Sequence, residues 1–234
     1  MAPKEAWGRA VVIDVGANTG FYGLLALAHG CAVVFVEAQP KCNAMIARSI
    51  EASGFDWEKV RMVKQPVGHA RLAGQVLTVK SWNNCDGRFP ISNYEAGDRG
   101  AYGASASNGP MVQSSQEIPF MAVEDMLRAV GLASSDAIQV LKIDTEGNEL
   151  QIIEGFMPVL QKQRIANLVV EVTPGWWSLS GYTKRAGADI FEQLASLGYS
   201  ARTHHGPVLR GASVRRHIQL YSGVQEDVWL HLEN

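Results

Sequence analysis

Short apolar runs alternate with stretches of helical periodicity along most of this 234-residue chain. Val11-Val12-Ile13-Asp14-Val15 is such a run, and Tyr22, Leu24, Leu25 and Leu27 follow it at helical spacing. Together they predict a strand, a tight Gly16-x-Asn18-x-Gly20 turn and a helix. A second run, Ala32 to Val36, stops at Glu37. Gln39-Pro40 then starts a helix with Cys42, Ile46 and Ile50 on one face, and Gly54 ends it. Further strands are predicted over residues 60–67, 75–79, 138–144, 168–172 and 199–204, with helices over 123–130, 148–161 and 188–197. The closing segment alternates through Val228, Leu230 and Leu232, as a strand does. Strand and helix in alternation predict an α/β fold, a mostly parallel sheet with helices on both faces. Residues 81–117, rich in Gly, Ser and Asn, fit no element and are expected to form a lid or substrate loop within a single domain spanning 1–234.

With 47% hydrophobic and 19% charged residues, the chain has enough apolar content for one sizeable core. Its net charge of -2 supplies no global field for nucleic acid or an anionic membrane. A local basic group, Lys184, Arg185, Arg202, Arg210, Arg215 and Arg216, reads as a solvated rim. The three cysteines, Cys31, Cys42 and Cys85, have no metal-ligand spacing, and their odd number predicts reduced thiols rather than a disulfide framework. No apolar stretch is long enough to cross a membrane, and the first residues are too polar for a secretory signal, so a cytoplasmic protein is expected.

The turn after the first run carries the first chemistry. A doubly wound sheet places a ribose-binding acid at the end of its second strand, and Glu37 stands there. A pyrophosphate-binding turn needs Gly-x-Gly-x-x-Gly, yet the second and third positions here are Asn18 and Phe21. Asp14 precedes the turn, where a carboxylate repels phosphate but attracts an ammonium or sulfonium. The loop therefore suits a cationic nucleoside such as S-adenosylmethionine, with Asp14, Gly16, Asn18, Gly20 and Glu37 as binding candidates. Val67, at the exit of the third strand, is placed to present its backbone to an adenine ring.

Acids at strand ends converge in an open parallel sheet, and Asp14, Glu37, Asp144 and Glu171 all occupy such ends. The densest charged string is Lys142-Ile143-Asp144-Thr145-Glu146-Gly147-Asn148-Glu149. Alternation puts Lys142, Asp144 and Glu146 on one face, and Gly147 permits a sharp entry into the next helix. A bland alternative is a Lys142 ion pair that only organises the turn.

On these strings the chain resembles the FkbM-type S-adenosylmethionine-dependent methyltransferases. It carries Val12-Ile13-Asp14-Val15-Gly16-Ala17-Asn18-x-Gly20, Glu37, Pro66-Val67-Gly68, Leu141-Lys142-Ile143-Asp144-x-Glu146-Gly147-x-Glu149 and Val170-Glu171-Val172. The resemblance implies a Rossmann-like class I methyltransferase with a seven-stranded sheet whose last strand is antiparallel. It also implies S-adenosyl-L-methionine as cofactor and a hydroxyl on a sugar, glycolipid or polyketide as acceptor.

Within that reading Asp144 is expected nearest the methyl donor, with Lys142, Glu146 and Glu171 tuning it or holding the acceptor. No metal is assigned, although the same acids offer an alternative as ligands of a divalent cation. His204 and His205 are second candidates for a general base. Trp82, in the 81–117 segment, and Trp176-Trp177, after Pro174-Gly175, are expected to take a small-molecule or glycan acceptor, since flat aromatic faces suit the apolar face of a sugar. A nicotinamide dehydrogenase would share the sheet but not the glycine spacing, and a non-catalytic nucleoside-binding module would keep the loop alone.

Overall fold

A computed structural model of the chain describes residues 10–81, 114–133, 135–204, 206–223 and 225–233. The predicted alternation is present. Strands β1 (Val11–Val15), β2 (Ala32–Val36) and β3 (Val60–Val63) lie beside one another in parallel, joined by helices α1 (Phe21–Ala28) and α2 (Pro40–Ser53). Gly54 adopts a left-handed conformation that ends α2, as its position predicts. The third strand stops four residues early, because Gln65-Pro66 interrupts it. What was read as its end is a separate two-residue strand, β4 (Val67–Gly68), parallel to β7 (Met121–Ala122).

Strands β5 (Val76–Ser81) and β6 (Ser114–Pro119) form an antiparallel ribbon at the base of the expected lid. Residues 81 and 114–117 are therefore strand rather than loop; residues 82–113, with Trp82, lie outside the described residues. Helix α3 (Val123–Ala129) leads into β8 (Ile138–Ile143), α4 (Glu149–Leu160) and β9 (Ile165–Val172). Then come α5 (Lys184–Ser196), β10 (Tyr199–Thr203), the short β11 (Val208–Leu209), α6 (Ala212–Leu220) and β12 (Glu226–Leu232).

The main sheet runs β11-β10-β12-β9-β8-β1-β2-β3, with β12 antiparallel to both β9 and β10. Seven of these strands are the predicted ones, including the antiparallel last strand. The eighth, β11, extends one edge by a two-residue pairing with β10.

Alternation along β1 sends Val11, Ile13 and Val15 into one core and Val12 into another. The first core is closed by residues of α3, α4, α5 and α6, among them Val123, Phe156, Phe191 and Val214. The second is closed by Leu27 of α1 with Ile46 and Ile50 of α2. Helices thus cover both faces, and the carboxyl ends of β1, β2, β8 and β9 open onto one crevice with the amino end of antiparallel β12. Helix α1 buries Gly23 and Leu27, not the aromatic and Leu25 positions its pattern suggested; Tyr22 and Leu25 are exposed. Gly23 is needed because a Cβ there would come within 2.1 Å of the Phe35 ring. Cys42, fully buried on α2, is disulfide-bonded, against the expectation of a reduced thiol, whereas Cys31 is free.

Candidate active site

The glycine turn is stitched to the end of β2: Gly16 N donates to Val36 O at 2.9 Å and Ala17 N to the same oxygen at 3.2 Å. Gly16 has a φ of +74°, and a Cβ there would lie 1.8 Å from Asp144 O, so the turn rests directly on the residue that follows β8. Asn18 also has positive φ, and left-handed Gly20 caps α1. Glu37 locks the arrangement. Its Oε2 accepts from Asn18 N and its Oε1 from Gln39 N, each at 2.8 Å. Burial pushes its carboxyl above the usual range, against the pull of these bonds. Each oxygen keeps a further lone pair for a ligand hydroxyl.

Asp14 has a different place from the one its sequence position suggested. It is fully buried, with Oδ2 accepting from Gly23 N at 3.0 Å and Oδ1 3.3 Å from the Lys142 ammonium. It anchors the start of α1 and shares a cation, so it does not offer a bare carboxylate to a bound nucleoside. Val67 is likewise buried at the β4–β7 pair, where neighbouring Pro66 O accepts from Met121 N at 2.9 Å.

Lys142 Nζ lies 3.2 Å from Asp144 Oδ2, donates to Gly16 O at 3.3 Å and sits 4.9 Å from the centre of the Tyr22 ring. Desolvation works against its charge, but Asp14 and Asp144 outweigh it and hold the ammonium protonated. The predicted ion pair is real, and it ties the glycine turn to the acid strand.

Beyond β8 the chain turns through Glu146 and Gly147, both at positive φ. A Cβ on Gly147 would come within 3.0 Å of the Trp176 backbone. Glu149 holds this turn together. Fully buried, it accepts from Thr145 N, Thr145 Oγ1 and Gly147 N on one oxygen and from Thr173 Oγ1 and Trp177 Nε1 on the other, at 2.8 to 3.1 Å. Such a set meets the hydrogen-bonding needs of a buried carboxylate, although burial still raises its pKa.

The turn brings Asp144, Glu146 and Glu171 together, with one carboxylate oxygen of each within 4.8 Å of the others. Asp144 remains one-third exposed to the crevice, while Glu171 is 9% exposed. Burial, followed by repulsion from Asp144, Glu146 and Glu149, pushes the Glu171 carboxyl up to about 8. Asp227, which sequence reading missed, stands beside Glu171 in the β12–β9 register, and its carboxyl is raised by burial and by Asp144.

Trp177 corrects a second expectation. It is fully buried, stacked on Phe191 with ring centroids 6.5 Å apart, and its indole donates to Glu149, so it is a core residue and no acceptor platform. Trp176 is half-buried against Gly147 at the crevice edge. His204 is exposed after β10, where its charge favours the ionised form of Asp227; His205 lies outside the described residues. The basic rim is partly neutralised, Arg215 pairing with Asp189 and Glu192 and Arg210 with Glu233.

The chain matches the family model described as the methyltransferase FkbM domain over residues 14–201, from the end of β1 to β10. No curated protein matches. Among solved structures it is similar to a putative methyltransferase from Streptococcus mutans in complex with S-adenosylhomocysteine, at 8% identity and a TM-score of 0.46, covering 95% of this chain and 88% of that one. An rRNA methylase from Streptococcus thermophilus matches at 9% identity and a TM-score of 0.44, covering 97% and 88%. The bifunctional kinase-methyltransferase WbdD matches at 13% identity and a TM-score of 0.45, covering 97% of this chain and 36% of that one. Among the described residues, no helix is long and apolar enough to cross a membrane.

Proposed function

Because the chain belongs to the FkbM methyltransferase family, whose methyl donor is S-adenosylmethionine, we propose that it methylates a hydroxyl oxygen, most favourably one on a carbohydrate or glycoconjugate. The observation that carries this reading is the meeting of Asp144, Glu146 and Glu171 at the carboxyl ends of β8 and β9. Alcohols are weak acids, and methylating one requires somewhere for its proton to go.

The residues fit the cofactor. Lys142 pairs with Asp14 and Asp144, and Asp144 in turn gathers with Glu146 and Glu171, so four acids stand against one ammonium. The excess of negative charge favours a sulfonium in the crevice. Glu37 would take the two ribose hydroxyls on its remaining lone pairs, and the turn from Gly16 to Gly20 would pass against the methionyl part. When bound, the cofactor supplies an electrophilic methyl group whose bond to sulfur breaks with the electron pair staying on sulfur.

The protein's own contribution is then positional and acid–base. Asp144, next to the turn through Gly16, holds the acceptor oxygen in line with the methyl group, and position alone is a large part of such a barrier. As the oxygen lone pair forms the new bond to carbon, the hydroxyl proton passes to the Asp144–Glu171 pair. A carboxyl whose affinity for protons lies near neutral pH suits that task. Trp176, at the mouth, offers its face to a sugar ring. A lipid or polyketide alcohol is the second reading, and exposed Phe21 and Tyr22 at the start of α1 favour it.

Incubation with labelled cofactor and parallel panels of sugars, glycoconjugates and lipid alcohols, followed by mass spectrometry, tests the proposal. Methylated sugar products support it. Methylation of non-sugar alcohols alone moves the acceptor to the second reading.

A further inference from the structure

The geometry points to a second sugar subsite on Trp229, selective for a ring that carries a carboxylate, so that the acceptor is an acidic oligosaccharide lying across the open face of the sheet. This rests on the function proposed above and extends it beyond the acids.

The two faces of the sheet are covered unequally. Helices α3 to α6 pack on one face, whereas the core beneath α1 and α2 draws its strand residues from β1, β2 and β3, with Val140 of β8 at its margin. Beyond that margin, Asn167 and Val169 of β9 are half-buried, and Arg202 of β10 and Trp229 and His231 of β12 are exposed. Register and pleat place them on the face that also carries Glu171 and Asp227. Lys142, Val169, Trp229 and Arg202 pair across the strands as one row, and Glu171 and Asp227 stand in the next. Two residues along a strand span about 7 Å. A ligand held at the acids therefore reaches Trp229 with its neighbouring ring.

Trp229 is exposed, yet its ring is fixed in place. Asn167 Nδ2 donates to Gln139 O at 2.9 Å, which orients the amide so that Oδ1 accepts from Trp229 Nε1 at 3.0 Å and lies 3.0 Å from His231 Nδ1. The indole's one polar atom is satisfied within the protein, while 40% of the residue stays open to solvent. A face oriented in advance loses little rotamer freedom on binding, and its π surface suits the apolar side of a sugar.

Arg202 supplies the selectivity. Its guanidinium carbon lies 5.9 Å from the centre of the Trp229 ring. Among the described residues it has no carboxylate partner, unlike Arg210 and Arg215. A free guanidinium beside an aromatic platform favours a carboxylate, which it can take through two parallel hydrogen bonds. Arg202 also stands on the far side of Trp229 from Asp144, Glu146 and Glu171, where an anion is least repelled. A nucleic-acid strand would stack on Trp229 as well, but its run of phosphates would have to pass those acids.

The test presents the full chain, with S-adenosylhomocysteine bound, to an array of neutral and uronic-acid oligosaccharides and single-stranded RNA, and measures the hits by calorimetry. The wild-type chain is expected to prefer uronic-acid oligosaccharides. Affinity should fall about tenfold or more in Trp229→Ala, fall less in Trp229→Phe, and lose its preference for acidic over neutral chains in Arg202→Gln. No acidic glycan bound by the wild-type chain, RNA bound instead, no preference over neutral chains, or undiminished binding in a folded Trp229→Ala overturns the subsite. The wild-type result is decisive by itself, so a variant that fails to fold does not rescue the inference. Methyl transfer to sugars with an acceptor KM unchanged in Trp229→Ala keeps the proposed function and overturns the subsite. Trp229-dependent glycan binding without methyl transfer keeps the subsite and overturns that function.

Discussion

Replacing Glu37 by glutamine keeps the side chain's shape and removes its charge, and the consequences follow from its two bonds. Both oxygens accept backbone N–H groups at 2.8 Å, from Asn18 and from Gln39. An amide has one acceptor oxygen, so either orientation turns its NH2 toward a backbone N–H and strands that donor. A buried unsatisfied donor costs about 1 to 3 kcal/mol, and the surviving bond loses its charge assistance, roughly 1 kcal/mol more. Relief of the desolvation that raises the Glu37 pKa offsets part of this. A stability loss of about 1 to 3 kcal/mol is expected in thermal unfolding. The two ribose bonds would each lose roughly 1 kcal/mol for the same reason, enough to weaken S-adenosylhomocysteine about tenfold or more in calorimetry. A folded Glu37→Gln that binds the nucleoside as tightly as the parent refutes the ribose assignment. An unchanged Tm refutes the role in holding the turn.

Asp144→Asn should lower turnover by about a hundredfold or more while leaving nucleoside affinity little changed, since general acid–base groups contribute on that scale; near-normal turnover in a steady-state assay moves the base to His204 or Asp227. Trp176→Ala should raise the acceptor KM without changing cofactor binding. Trp177→Phe should instead lower Tm, because the buried Glu149 oxygen loses its indole donor. The folded chain holds a proton on Glu171 between its ordinary range near 4.5 and about 8, whereas the unfolded chain does not. Stability therefore falls as pH rises through that window, and unfolding of Glu171→Gln should show a flatter pH dependence.

The sheet was legible because its strands are unbroken apolar runs and its turns carry glycine where φ is positive, as at Gly16, Gly20 and Gly54. Helix α6 was not, because only Val214 and Ile218 face the core and its arginines read as a rim. The acids that gather at the strand ends were recognisable from type and position. Asp227 was hidden, since a lone acid on an alternating strand looks solvent-facing until the antiparallel register sets it beside Glu171. Trp177 misled for the opposite reason. Its loop position suggests exposure, and its burial depends on a partner, Glu149, 28 residues away in sequence. Asp14 and Lys142 show the same dependence, each of their roles being set by the other.

The central claim is transfer of a methyl group to oxygen in the crevice beside Asp144. Incubation of the chain with S-adenosylmethionine carrying a 13C-labelled methyl group and its acceptor, followed by NMR of the product, reads the atom that receives the label. The account predicts a methoxy carbon, formed in equal amount with S-adenosylhomocysteine and lost in Asp144→Asn. A label on nitrogen, sulfur or carbon, or a methoxy product undiminished in that variant, contradicts it.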